Sequence, residues 1–145
     1  MKRIVIILLS VLAVCQFFRP ESNSGTTGGP DAIQNVVQVP DTVMSVLRNA
    51  CYDCHSNRTG YPWYTNVQPV GWWLANHVNE GKEELNFDAF RTYSPERAFH
   101  KLDETEEVIR KGEMPLKSYL LLHPKAKLSD KQKEMIFNWI SDVKR

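Results

Sequence analysis

Cys51-Tyr52-Asp53-Cys54-His55 is the stretch whose reading decides what the rest of the chain is for. Two cysteines stand three apart, and a histidine follows the second without a gap. The paired cysteines alone serve several chemistries. Half of a structural zinc site has this spacing, but such a site normally takes four Cys or His ligands. The chain has only one other cysteine, Cys15, in an apolar leader, so zinc would have to recruit distant histidines. A thioredoxin-like redox pair needs a strand–helix–strand setting, and no such pattern surrounds these residues. A plain disulfide between Cys51 and Cys54 would close a very tight loop.

The histidine separates these readings from the one that fits. Cys-x-x-Cys-His is the attachment pattern of c-type haem. Each thiol adds to one porphyrin vinyl group, and the adjacent imidazole, His55, is then held against the proximal side of the iron. One covalent haem c is the expected cofactor, on Cys51 and Cys54.

The chain has 145 residues and a formal net charge of +1. That is room for one domain plus a leader. Lys2 and Arg3 belong to the leader, so the remainder is slightly acidic, and no uniform basic field points to nucleic acid. Four tryptophans, at 63, 72, 73 and 139, suit a small protein that must surround a large flat cofactor. A Trp-rich core without one would look similar. No nucleophile–base pair or phosphate-binding loop is evident, so hydrolase and transferase readings lack support and the chain does not read as an enzyme.

Lys2-Arg3 followed by the apolar run from Ile4 to Phe18 is an export pattern. An uncleaved membrane anchor is the preferred reading. A cleaved signal, or lipid modification at Cys15, remains open, with Val14 ill-suited to the lipoprotein pattern. Each version places the domain outside the cytoplasm, on the periplasmic side or in the cell envelope. Glu21 to Pro30 is Ser-, Thr- and Gly-rich and reads as a flexible linker. Residues 31–40 read as an extended arm. The expected organisation is an export signal or anchor over 1–19, linker and arm over 20–40, and the haem-binding domain over 41–145.

Within that domain the periodicity is helical throughout, so the fold class is all-α. Asp41 stands as an N-cap, and Val43, Val46, Leu47 and Ala50 form one stripe leading into Cys51. Residues 56–69 read as a loop around the haem edge, with Arg58 either a propionate partner or an exposed charge. Val70, Trp73, Leu74, His77 and Val78 predict a helix over about 70–79, ended by Gly81. Ser94-Pro95 opens another helix that Gly112 closes. Ser129 and Gln132 form a capping box at the head of the last helix, whose stripe is Ile136, Trp139, Ile140 and Val143. That helix is expected to pack across the one at 42–50.

Met114-Pro115 lies just after a helix. A thioether there is the candidate second axial ligand, soft enough for haem iron, and proline stiffens the segment that carries it. Met44 and Met135 lie on helices and suit the role less. His77, His100 and His123 are the rival sixth ligands; a hydrogen-bonded core histidine is the plainer reading of His77.

The order of these elements resembles class I c-type cytochromes: a helix into Cys-x-x-Cys-His, intermediate helices, a Met-Pro loop and a closing helix. More closely, the chain resembles the haem-binding domain family of anchored, exported bacterial proteins. The stretches that carry this are Gln16 to Pro20, Cys51 to Asn57, Pro62-Trp63-Tyr64, Val70 to His77, Leu85-Asn86-Phe87, Glu113 to Tyr119 and Leu128 to Ile140. The resemblance implies a cytochrome c-like domain with covalent haem ligated by His55 and Met114. It departs from ordinary class I cytochromes at Val43 and Leu47, where a small residue and an aromatic are usual, so a wider or shifted helix crossing is expected.

Two functions follow. Electron transfer needs only a six-coordinate iron and an exposed haem edge, and the lysines at 111, 117, 125, 127, 131 and 133 would steer an acidic redox partner if they surround that edge. Ligand sensing or peroxidase-like chemistry needs an open or displaceable sixth position and a distal acid–base group such as His77 or His100. A structural metal module is the third, non-haem reading.

Overall fold

The computed structural model describes residues 1–145. Seven α-helices and four short 3-10 turns make up the chain, with no strand beyond one isolated bridge between Ser24 and Arg58. The all-α expectation holds.

Helix α2 (Asp41–Ala50) buries Val43, Met44, Val46, Leu47 and Ala50. The apolar side chains recur at helical spacing, so one face enters the core. Its cap is Pro40, not Asp41, which takes the first helical position; there its carboxylate faces the positive end of the helix dipole. Helix α3 (Tyr52–His55) starts one residue later. Helix α4 runs Val70–Glu84, beyond the expected end at 79. Gly81 is interior to it rather than a cap. A Cβ there would lie 2.8 Å from the Cys54 carbonyl oxygen, so this glycine lets α4 lie against the backbone of α3.

Helix α5 (Pro95–Lys111) is capped by Ser94, whose side chain accepts from the Arg97 amide, and ends at Gly112 with φ +69°. Only glycine adopts that left-handed conformation cheaply. Short helix α6 (Lys117–Leu122) follows. Helix α7 (Asp130–Val143) opens with the capping box of Ser129 and Gln132. It packs on both α2 and α5, and Ile136, Trp139 and Ile140 are buried there. The contact of α7 with α2 is the closure the sequence called for.

Residues 23–30 do not hang free, although the composition of Glu21 to Pro30 reads as a flexible linker, and the start of the arm that follows is buried. Asn23 Nδ2 donates to the Ser56 carbonyl at 2.9 Å, and the Gly25 amide donates to Asn57 O at 2.7 Å. The Gly28 amide donates to Asp88 Oδ1 at 2.8 Å, while Asp88 Oδ2 accepts from the Asn57 amide at 2.9 Å. Ala32 and Ile33 are fully buried. A segment without an apolar stripe is held here by backbone hydrogen bonds and one buried carboxylate. Further along the arm, Trp139 Nε1 donates to the Gln38 carbonyl at 3.0 Å.

Helix α1 (Lys2–Cys15) has no buried residue. It stops before Phe17 and Phe18. Fourteen residues at about 1.5 Å each give about 21 Å, against roughly 30 Å of bilayer hydrocarbon. No helix of the chain is long and apolar enough to cross a membrane.

Candidate functional site

The Cys51 amide donates to Leu47 O at 2.9 Å, the last rung of α2, and the His55 amide donates to the Cys51 carbonyl at 3.0 Å. Cys51 therefore ends one helix and caps the next. Both cysteines are free thiols and half-buried. Burial, reinforced by Cys54, pushes the Cys51 thiol up to about 12. Burial, then the Asp53 carboxylate, pushes Cys54 up to about 11. Both stay protonated at neutral pH.

The imidazole of His55 is oriented by the backbone of the neighbouring element. Its Nδ1 lies 3.0 Å from the Leu85 carbonyl oxygen. A carbonyl can only accept, so Nδ1 carries the proton and Nε2 keeps a lone pair. Burial lowers the pKa of the ring, while the carbonyls of Leu85 and Gly81 and the charge of Glu84 oppose the shift. Phe87 meets the His55 ring edge-on at 6.3 Å and stacks on Tyr52 at 5.2 Å.

Two cavities of about 350 and 320 Å³ flank this turn, each of a size that holds a small organic ligand. Ala50, Cys51, His55, Glu84, Met114 and Pro115 line both. They are two chambers of one cleft, between the α2–α3 corner and the segment after α5. The larger continues along Leu85, Phe87, Val108, Ile109 and Leu128. The smaller adds Cys54, His77, Leu116 and Tyr119. All four residues singled out in the sequence, Cys51, Cys54, His55 and Met114, thus come to one cleft.

The rivals fall elsewhere or only partly there. Met44 is buried in the core, its sulfur accepting from Tyr52 Oη at 3.6 Å, and Met135 packs against the same core. His100 is exposed and pairs with Glu104 at 3.6 Å. His123 stacks on Tyr119 at 4.1 Å and lines neither chamber. His77 does line the smaller chamber, half-buried, with Nδ1 2.9 Å from the Trp73 carbonyl and its ring 4.3 Å from Trp73. The propionate role considered for Arg58 finds no support, because that residue bridges Ser24 and lines neither chamber. Trp63 is 79 % exposed, not packed at the cleft.

The larger chamber has a charged wall that sequence reasoning missed. Lys101 Nζ lies 2.6 Å from Glu104 and 2.9 Å from Glu84, and these carboxylates, Glu104 first, raise its pKa. The Lys101–Glu104 half was visible as an i,i+3 pair. Glu84 comes from another helix, and nothing in the spacing signals that. Tyr119 was missed as well: its hydroxyl donates to Asp53 Oδ2 at 2.6 Å. Burial, then that hydrogen bond, raises its pKa far above the phenol range.

The donor set fits a haem: an imidazole with Nε2 available, one thioether, two neutral thiols and a largely apolar cleft. It does not fit zinc, since no group of three or more His, Cys, Asp or Glu side chains converges to hold a metal ion. Comparison with curated proteins and with solved structures gives no match. Residues 10–142 match the family model described as a haem-binding domain, and with nearly the whole chain covered, the protein belongs to that family.

Proposed function

We propose that the protein is a single-haem c-type electron carrier. Cys51 and Cys54 hold the haem through thioethers, His55 is the proximal ligand and Met114 the distal one. The observation that carries this reading is the one cleft lined by all four side chains. A haem bound there supplies a one-electron iron couple. The chain's own contribution is orientation and surroundings: Leu85 holds the His55 tautomer, and the apolar part of the lining lowers the polarity around the iron, which tunes the potential.

The domain works outside the cytoplasm, on the periplasmic side or in the cell envelope, held to a membrane through residues 4–18. Of the lysines at 111, 117, 125, 127, 131 and 133, only Lys111 lines the cleft, where it pairs with Glu107; the exposed Lys117, Lys125, Lys127 and Lys131 add positive charge that an acidic redox partner would meet. No catalytic residue is assigned.

The second reading is a ligand sensor or peroxidase-like protein with a displaceable sixth ligand. It rests on His77, which shares the smaller chamber with Met114. One experiment separates the two. The protein is matured with c-type haem, checked by haem stain after denaturation, and examined by absorption. Covalent haem with a ferric sulfur-to-iron charge-transfer band that Met114→Ala abolishes supports the carrier. Covalent haem without that band, with fast carbon monoxide binding to the ferrous protein, supports the sensor. No covalent haem overturns both.

A further inference from the structure

Part of the exposed apolar surface gathers where the end of α1 meets the head of α4. Phe17, Phe18, Trp72, Trp73 and Leu122 are all exposed large side chains, and hydrogen bonds connect the end of α1 to this face. Gln16 Oε1 accepts from the Gln68 amide at 2.9 Å, and Gln16 Nε2 donates to the Gln68 carbonyl at 3.2 Å. Trp72 Nε1 donates to the Phe18 carbonyl at 2.6 Å. Trp73 and Leu122 line one small cleft, which joins the head of α4 to the end of α6.

From this we propose that the Trp72–Trp73 face of α4, with the end of α6, is a lipid-docking surface that seats the domain in the interfacial layer of a phospholipid bilayer. The inference rests on the membrane attachment of residues 4–18 proposed above and goes beyond it.

The argument is one of distance along the chain. Helix α1 is apolar, ends at Cys15 and buries none of its residues. The clamps fall on Gln16 and Phe18, one and three residues later. If α1 lies in lipid, the head of α4 lies at the level of the headgroups. Tryptophan rings suit that level, and the Trp72 N–H is already satisfied by the Phe18 carbonyl, so its ring can enter without an orphaned donor. An apolar helix shorter than the hydrocarbon is accommodated by drawing its flanks inward, and an aromatic face at its end is a flank that tolerates this.

The test uses the full haem-loaded chain in phosphatidylcholine–phosphatidylglycerol vesicles that carry a diazirine on the acyl chain near the glycerol. After photolysis, adducts are mapped by mass spectrometry. Labelling of both α1 and the peptides holding Trp72–Trp73 and Leu121–Leu122, several-fold above the exposed face of α5, is expected. In Gln16→Ala, labelling of α1 should persist while that of the Trp72–Trp73 peptide falls several-fold. Labelling of α1 alone in the unaltered protein would overturn the docking surface and leave the anchor standing. No labelling of α1 would remove the attachment on which the proposal rests, and the proposal with it. An unlabelled Trp face with a doubled detergent-corrected mass would assign the face to a second copy and equally overturn it.

Discussion

The Nδ1 of His55 lies 3.0 Å from the carbonyl oxygen of Leu85, so the residue that ends the attachment motif is held by the residue just past α4. The site is therefore built by the packing of α3 on α4, and changes at that seam reach the imidazole.

Gly81→Ala tests the seam. Alanine gains about 1 kcal/mol of helix propensity over glycine. Its Cβ would sit 2.8 Å from the Cys54 carbonyl oxygen and 3.2 Å from the Cys54 Cβ, and forcing a methyl group into such a contact costs about 1–3 kcal/mol. The clash involves backbone, which cannot swing aside, so the cost wins. Chemical denaturation should show a net loss of up to about 2 kcal/mol by the same balance. The exposed Asn79→Ala on the same helix should show none.

Met114→Ala should remove the distal ligand without unfolding the domain, because Met114 is only half-buried and lies outside the main core cluster. Covalent haem yield stays near that of the unaltered protein, the sulfur-to-iron band disappears, and the potential falls as the thioether is lost. Met44→Leu, a core swap of similar volume that costs less than about 1.5 kcal/mol, should leave the band intact. A band that survives Met114→Ala would transfer the ligand role to another side chain.

Asp88→Asn probes the docking of residues 23–35. The buried carboxylate accepts from the amides of Gly28 and Asn57, and hydrogen bonds to a charged acceptor are each worth about 1.5–3 kcal/mol. An amide keeps one acceptor oxygen and presents an N–H to the other donor. The expected loss is about 2 kcal/mol on that scale, with faster proteolysis between Glu21 and Pro30. Equal cleavage in both proteins would mean the contacts hold nothing down.

Thiol titration gives a pH prediction for the haem-free chain. The folded pKa of Cys51, about 12, and of Cys54, about 11, both exceed the ordinary 9.0. The folded protein therefore binds more protons than the unfolded one above pH 9.0. These thiols stabilise the fold fully below that pH, and the contribution is lost as pH rises through 11 and 12. In a Cys15→Ser background, alkylation of the folded chain should stay slow at pH 9 and accelerate only near pH 11. Urea should abolish the difference.

Much of this was legible in the sequence, for identifiable reasons. Asp41 to Ala50, Ser94 to Gly112 and Ser129 onward each carry an apolar stripe, and the last two add a side-chain cap at Ser94 and Ser129; those local signals determine helices. The convergence of Cys51, Cys54, His55 and Met114 on one cleft was readable because the motif and the Met-Pro segment were both read as serving one haem. What failed depended on contacts between distant segments. Gly81 reads as a helix end until Cys54 is seen beside it. Glu21 to Pro30 reads as a loose tether until Asp88 and Asn57 are seen beneath the strap it leads into. Glu84 and Lys101 meet across two helices, and no period in either one announces it.

The amides of Glu113 and Met114 both donate to the Val108 carbonyl, at 2.9 and 3.3 Å. The methionine is thus an outgrowth of the last turn of α5, with left-handed Gly112 as the corner. Its backbone cannot shift without opening that turn. For the electron exchange proposed above, this means the main chain that carries the thioether need not move when the charge at the centre changes. On that proposal, the backbone's share of the reorganisation energy would be small, and the cost of that stillness is already met by the folding of a helix.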